Sequence, residues 1–294
     1  MRPKAVVTGA SGMLGKDLSR SLERDFHVIP LSRAELDITD MDQVMHVLGD
    51  TTPAVVVNCA AFTNVDLCEK KREKAFLVNA KGPENLAKAC SAIGAKLVHI
   101  STDYVFDGMS QRPYREEDPT NPINVYGQSK LKGENTIQKH SKDYLIVRTS
   151  WLFGKEGPNF IKTMLELSKE RKELQVVHDQ RGRPTSTKDL SKHVCQLIRY
   201  NATGTVHCAN IGTCTWFDLC CFALEKAGIG NVKVTPVTSD CFKRPARRPA
   251  YSVLDLKRFK KITGELPRPW QDAVLSYLND TDNLCHSTKA PDVQ

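Results

Sequence analysis

Between Ala5 and Arg148 short β-branched runs alternate with longer stretches of helical spacing, and this alternation restricts the fold more than any other feature of the chain. The expected strands are Ala5–Thr8, His27–Leu31, Ala54–Asn58, Lys96–Ser101 and Tyr144–Arg148. Helical patterns fill Gly12–Arg24, Met41–Leu48, Glu69–Ile93 and Val125–Lys139 between them. Strands separated by single helices return to the sheet in parallel, through crossovers of one hand that cover both faces. The expectation is an α/β chain built on a Rossmann-type doubly wound parallel sheet, whose ligands lie beyond the carboxyl ends of the strands.

After Trp151 the alternation loosens. Helices are expected at Asn159–Arg171, Lys188–Tyr200, Trp216–Ala227, Leu254–Lys261 and Pro269–Leu278, with one strand at Thr205–Asn210 and a Pro/Arg-rich connection from Pro236 to Pro249. This half reads as a smaller C-terminal lobe. Residues 1–155 form the first domain, with a returning segment around 185–212, residues 156–280 are mainly the lobe, and 281–294 are a disordered polar tail.

The formal net charge of +8 suits an anionic small molecule better than nucleic acid, because the basic residues are spread out and no basic tail occurs. No stretch has the length and apolarity of a membrane span. The ten cysteines include no Cys-x-x-Cys pair, and several fall within apolar patterns, where a reduced thiol behaves as a small core residue. No metal site, no membrane contact and a cytoplasmic location are therefore expected.

Gly9, Gly12 and Gly15 end the first strand and open the first helix. Gly9 permits a tight turn, Gly12 lets backbone approach a pyrophosphate, and Gly15 allows close packing of helix on sheet. The flanking Ser11, Met13 and Leu14 place their N–H groups at the positive end of the helix. At the end of the second strand stand Ser32 and Arg33, where an NAD-selective site would carry an acidic residue, so Arg33 is expected to meet a 2′-phosphate and NADPH is favoured over a still possible NADH. Asp37 and Ile38 are placed to flank adenine, and Ala60, Ala61, Phe62 and Thr63 follow the third strand, where small residues suit close passage of a dinucleotide.

Of the seven tyrosines only Tyr126 is followed at the fourth position by a lysine, Lys130. On a helix this spacing puts both on one face. An ammonium beside a phenol favours the phenolate, so a lowered Tyr126 pKa is expected, with Tyr126 as acid–base group, Lys130 as its tuner and Thr102 as partner for a carbonyl oxygen.

Together with these, Asn58 to Asp66, Ser101 to Gly108, Pro113 to Asp118, Gly133-Glu134, Thr149 to Trp151, Gln180 to Thr185 and Arg248 to Asp255 resemble the dTDP-4-dehydrorhamnose reductase family of extended short-chain dehydrogenase/reductases, from Lys4 to about Leu278. The resemblance implies reduction of a dTDP-4-keto-6-deoxy sugar by NAD(P)H. In it Thr102, Asp103 and Trp151 contact the sugar, Val65 lies near, and Arg181, Arg183, Arg247 and Arg248 are candidates for the diphosphate. Trp151 is also open to reading as a core aromatic, and Asp103 as a cap. Tyr104 follows Asp103 where a nucleotide-sugar dehydratase needs a glutamate. An epimerase, or a non-catalytic NADP-binding subunit partnered with methionine adenosyltransferase, would share the tyrosine–lysine pair. Some members of the family pair as homodimers.

Overall fold

A computed structural model describes the backbone of residues 2–287 and the side chains of residues 2–280. The first half runs β1 (Lys4–Thr8), α1 (Met13–Leu22), β2 (His27–Leu31), α2 (Met41–Thr51), β3 (Val55–Asn58), α3 (Val65–Lys70), α4 (Arg72–Phe76), α5 (Gly82–Ile93), β4 (Lys96–Thr102), α6 (Val125–His140) and β5 (Tyr144–Thr149). The second half continues with β6 (Leu152–Phe153), α7 (Phe160–Glu170), β7 (Glu173–Val177), β8 (Arg181–Gly182), β9 (Thr185–Ser186), α8 (Thr187–Arg199), β10 (Gly204–His207), β11 (Cys214–Thr215), α9 (Trp216–Lys226), β12 (Lys233–Val237), α10 (Lys257–Thr263) and α11 (Trp270–Ser287).

Six strands form one parallel sheet in the order β10-β5-β4-β3-β1-β2. Both faces are covered, which explains the unbroken apolar runs of β1, β3 and β5. Alternate residues serve alternate layers. Val7, Val57, Val98 and Val147 pack with Leu18, Leu22, Leu190 and Val194 of α1 and α8. Val6, Val56, Leu97 and Ile146 pack with Val44, Leu48, Leu86 and Ile137 of α2, α5 and α6. The order in which successive strands are added reverses between β1 and β3, and in doubly wound folds that switch opens a crevice at the strand ends.

The single helix expected over Glu69–Ile93 is three helical pieces with a π-helical turn at Leu77–Lys81. Lys71 leaves helical dihedrals at φ −126° and ψ 54°. Pro83 has no N–H to give the carbonyl four residues back, that of Asn79, and the wider turn accommodates the gap. The helix expected from Leu254 starts instead at Lys257, because Tyr114 takes the backbone of Val253 and Asp255 into a ladder at 2.8 and 2.7 Å. β12, parallel to β7, has no counterpart among the expected strands. Its Pro236 lies in a two-stranded sheet, where a missing N–H is tolerated.

Helix α11 runs to Ser287, so the backbone of 281–287 is helical where a disordered tail was expected; residues 288–294 of that tail lie outside the described residues. The nine cysteines among the described residues are unpaired thiols. Among the described residues no helix is long and apolar enough to cross a membrane.

Candidate active site

The turn between β1 and α1 lies at the switch. Gly9 has φ +66°, and a Cβ there would stand 2.7 Å from the Ala60 nitrogen. A Cβ on Gly15 would stand 2.3 Å from the Gly9 carbonyl oxygen. Both glycines therefore answer to close backbone approach. At Gly12 no side chain caps α1, and no acidic residue occupies its first turn, so these N–H groups suit a phosphate. Ser11 is exposed and Met13 half-buried beside them, whereas Leu14 faces the core and offers the site only its backbone.

After β2, Arg33 is largely exposed and pairs with Asp37 through Nε at 3.3 Å and Nη2 at 3.1 Å. Burial alone would raise the Asp37 pKa, but hydrogen bonds from Thr39 and the Arg33 charge outweigh it and hold it below its ordinary value. The Ser32 N–H is taken by the Glu35 carboxylate at 2.7 Å. Ile38 is buried against Gly82, so it forms a wall rather than a polar contact. Across the crevice, Asn79 from the π-helical turn holds the Ala60–Thr63 loop. Its Oδ1 accepts the Phe62 N–H at 2.7 Å, and its Nδ2 donates to the Phe62 carbonyl and to Ser129 Oγ, each at 3.0 Å. Nothing in the sequence pattern singles out Asn79, since its role depends on the helix break.

Tyr126 is fixed by its helix start. Asn124 Oδ1 caps the Gly127 N–H at 2.8 Å, Asn124 Nδ2 donates to the Arg247 carbonyl at 2.8 Å, and Glu69 accepts the Val125 N–H at 2.8 Å. A Cβ on Gly127 would stand 2.1 Å from the Tyr104 carbonyl oxygen, so α6 presses on the turn after β4 that carries Thr102. The Thr102 hydroxyl lies near enough to the Tyr126 phenol to favour its ionised form slightly against burial, and it donates to Asp103 Oδ1 at 3.0 Å. Tyr104 meets the Tyr126 ring edge-on at 5.8 Å between centroids.

Here an expectation is corrected: the Tyr126 pKa is raised, not lowered. Burial dominates, and the Lys130 amine is engaged elsewhere, at 2.6 Å from the Ile100 carbonyl and 3.0 Å from His99 Nε2. Helical spacing puts the two side chains on one face, but the long lysine stem turns inward to His99 and Ile100 on β4. Burial also lowers Lys130 to about 8 and pushes Asp103 up to about 7. Asp103 is 2% exposed, and its Oδ2 has no hydrogen-bond partner in the structure.

On the side of Tyr104 lies a cleft of about 1160 Å³ walled by Tyr104, Phe160, Gln180, Trp216, Arg247 and Arg248. Trp151, at φ +48°, stacks on Trp216 at 3.6 Å and 6° between planes, and a Cβ on Gly182 would collide with its ring. Trp216 Nε1 donates to Gln180 Oε1 at 3.1 Å, a contact the sequence does not announce. Arg248 departs from its expected role as a free diphosphate ligand. Its fork is spent on Asp66, Nη1 to Oδ1 at 3.0 Å and Nη2 to Oδ2 at 2.8 Å, which ties the Arg-rich connection to α3 beside half-buried Val65. Arg247 is exposed at the cleft, and Arg183 donates to the Gly212 carbonyl at 3.2 Å.

Residues 3–283 match the family model described as the RmlD substrate binding domain. A dTDP-4-dehydrorhamnose reductase of Streptomyces griseus is 44% identical over 280 residues, covering 93% of this chain and 92% of that protein. The crystal structure of a dTDP-4-dehydrorhamnose reductase from Clostridium acetobutylicum superposes with a TM-score of 0.92 at 44% identity, covering 95% of this chain and 99% of that one. The Bacillus anthracis dTDP-4-dehydrorhamnose reductase, solved in complex with NADP, gives a TM-score of 0.92 at 40% identity over 95% and 100% of the two chains. The glycine turn, the Thr102–Tyr126 contact and this likeness over nearly the whole length agree: the chain belongs to the RmlD family, that of the dTDP-4-dehydrorhamnose reductases.

Proposed function

We propose that this protein reduces the 4-keto group of dTDP-4-dehydro-6-deoxy-L-mannose to give dTDP-L-rhamnose, with NADPH as the reductant. The observation that carries it is the hydroxyl pair of Thr102, at the carboxyl end of β4, and Tyr126, which meets the cleft-lining Tyr104 edge-on. Gly9–Gly15 and the Ala60–Thr63 loop would hold the dinucleotide, which supplies a hydride when bound. Tyr126 gives its proton to the oxygen developing at C4, and burial suits it to this by keeping the phenol protonated at neutral pH. With substrate bound, Thr102 turns its hydroxyl from Asp103 Oδ1 to donate to the same oxygen, where negative charge builds up. Asp103, its carboxyl raised to about 7, holds Thr102 and faces a sugar hydroxyl, and the Trp151–Trp216 stack bounds the sugar. Arg181, Arg183 and Arg247 are the arginines left for the diphosphate.

In this reading residues 1–155 with 185–212 hold the dinucleotide, and the rest of 156–280 holds the sugar nucleotide. A dTDP-sugar as partner molecule and a cytosolic setting belong to the same reading. The test follows nicotinamide absorbance after mixing the protein with NADPH and the 4-keto sugar nucleotide. Turnover is expected. No turnover, with stable co-purification of methionine adenosyltransferase, would replace this reading by the regulatory one.

Cofactor preference has its own test. The exposed Arg33–Asp37 pair is held weakly, so Arg33 is free to turn to a 2′-phosphate. Arg33→Ala is expected to weaken NADPH roughly tenfold more than NADH, read as the ratio of the two KM values. Equal losses would remove Arg33 from cofactor selection.

A further inference from the structure

The Pro/Arg-rich connection over residues 238–249 is a loop tied to one short segment at both ends. Before it, the His178 N–H donates to the Val237 carbonyl at 3.0 Å, and after it the Arg181 N–H donates to the Ala250 carbonyl at 2.7 Å. Between these ties Phe242, Arg244 and Arg247 line the cleft, and Trp216, stacked on Trp151, lines it as well. The stack needs support from outside itself. Trp151 has φ +48°, a left-handed conformation that a bulky residue keeps only where its surroundings impose it. Trp216 has Phe160 tilted against it at 4.7 Å and 50°, but contacts on the faces of a ring leave it free to slide in its own plane.

Gln180 stops that sliding. It is 7% exposed, and both ends of its amide are engaged. An indole N–H can only donate, so Trp216 Nε1 at 3.1 Å fixes the amide with Oε1 towards the ring. Nε2 then faces the connection and donates to Ser239 Oγ at 2.8 Å. Ser239 donates in turn from Oγ to Asp179 Oδ1 at 2.7 Å and from its N–H to Oδ2 at 2.8 Å. Donors and acceptors thus match in one direction, from indole to carboxylate. Flipping the amide would set N–H against N–H at Trp216, and a buried amide denied a partner is costly.

We propose that Gln180 is a positioning residue for the sugar nucleotide: it couples the connection over 238–249 to the Trp151–Trp216 stack, so that the arginine wall at the diphosphate and the aromatic wall at the sugar are set as one unit. This rests on the reduction proposed above. The backbone on either side is held without Gln180. Trp216 opens α9 behind a capping box, in which Thr215 Oγ1 accepts the Asp218 N–H at 3.1 Å and Asp218 accepts the Thr215 N–H at 2.9 Å. The far end of the connection is anchored by Asp66, which accepts the Ala246 N–H at 3.1 Å and the fork of Arg248. What Gln180 adds is the orientation of the Trp216 ring and the seat of Ser239, the two points between which Phe242, Arg244 and Arg247 are hung.

The test is NMR of the full chain labelled with 15N-tryptophan, alongside steady-state kinetics. The three tryptophans, Trp151, Trp216 and Trp270, give three indole N–H signals, assigned by replacing each with phenylalanine. Ser239→Ala removes no group bonded to the Trp216 ring, yet it should speed exchange of the Trp216 N–H with water roughly tenfold. The same variant should raise KM for the sugar nucleotide about fivefold, with kcat and the KM for NADPH held within about twofold. Gln180→Leu should raise that KM too, and Ser239→Ala added to it should change nothing further, since both act through one amide. Unaltered exchange in Ser239→Ala, additive effects in the double variant, or an equal loss of affinity for NADPH overturns the proposal. If Gln180→Leu does not fold, Trp216→Phe takes its place: it keeps a ring against Trp151 without the N–H, and Ser239→Ala on top of it should again be silent. The indole signals need no substrate, so absent ketone reduction refutes the activity and not the coupling. Thymidine diphosphate titrated by calorimetry then replaces KM, and equal affinity of wild type and Ser239→Ala, or none, sinks the positioning role.

Discussion

Tyr126→Phe should lower kcat for reduction of the 4-keto sugar by roughly a thousandfold while leaving NADPH affinity largely unchanged. The ring makes the edge-on contact with Tyr104 and packs among Phe62, Phe76 and Val125, and phenylalanine keeps all of that. What is lost is one O–H placed beside Thr102. The surviving Thr102 hydroxyl can still polarise the carbonyl, but its proton is far harder to give away, so the residual rate should be small and not zero. Steady-state kinetics with a fluorescence titration of NADPH separate the two effects. A variant that keeps most of its activity would remove Tyr126 as proton donor. The pH dependence carries a sign. A donor works while protonated, and burial moves the Tyr126 pKa above its ordinary value, so the rate controlled by it is retained through neutral pH and lost only on the alkaline side. An inflection near 7 would belong to Asp103, whose carboxyl titrates at about that pH.

Much of this architecture is legible in the sequence, because β1, β3 and β5 are short apolar runs fixed by burial on both faces, and periodicity reports burial. Gly9, Gly12 and Gly15 are legible for a similar reason: a residue without a Cβ, repeated at a strand–helix junction, marks backbone that must pass close to other backbone or to a ligand. What escapes notice depends on partners distant in sequence. The Tyr126–Lys130 spacing predicts a shared helical face, yet the direction of the lysine stem is decided by His99 on β4 and, through it, by Asn58 on β3. Arg248 reads as a free cation until the fold brings Asp66 to it across 182 positions. The helix expected over Glu69–Ile93 fails at Pro83 and Lys71, and the π-helical turn it leaves is what aims Asn79 at the cofactor loop. Local pattern gives the element type, while the polar side chains that hold the site take their roles from tertiary neighbours.

The largest expected loss of stability lies close to that site. Glu134→Ala should destabilise the protein by about 3–5 kcal/mol, a fall in thermal midpoint of roughly 10 °C for a chain of this size. Glu134 and Arg148 have side chains only 1% and 5% exposed. The guanidinium meets the carboxylate through Nε at 3.0 and 3.2 Å and Nη2 at 2.7 Å, while Ser101 Oγ donates to Oε1 and Phe106 faces the guanidinium at 5.2 Å. α6, β4 and β5 are joined at this point. Truncating the acid leaves a buried cation without its counter-charge, which costs far more than the pair contributes when whole. Arg112→Ala, at the exposed pair with Asp118, removes an equally well-aligned contact and should cost no more than about 1 kcal/mol. Urea or thermal unfolding of the two variants side by side reads the difference. If Glu134→Ala unfolds at the wild-type midpoint, the buried pair does not hold α6 to the sheet, and the placement of Tyr126 must rest on the Asn124 cap and the close contact at Gly127 instead.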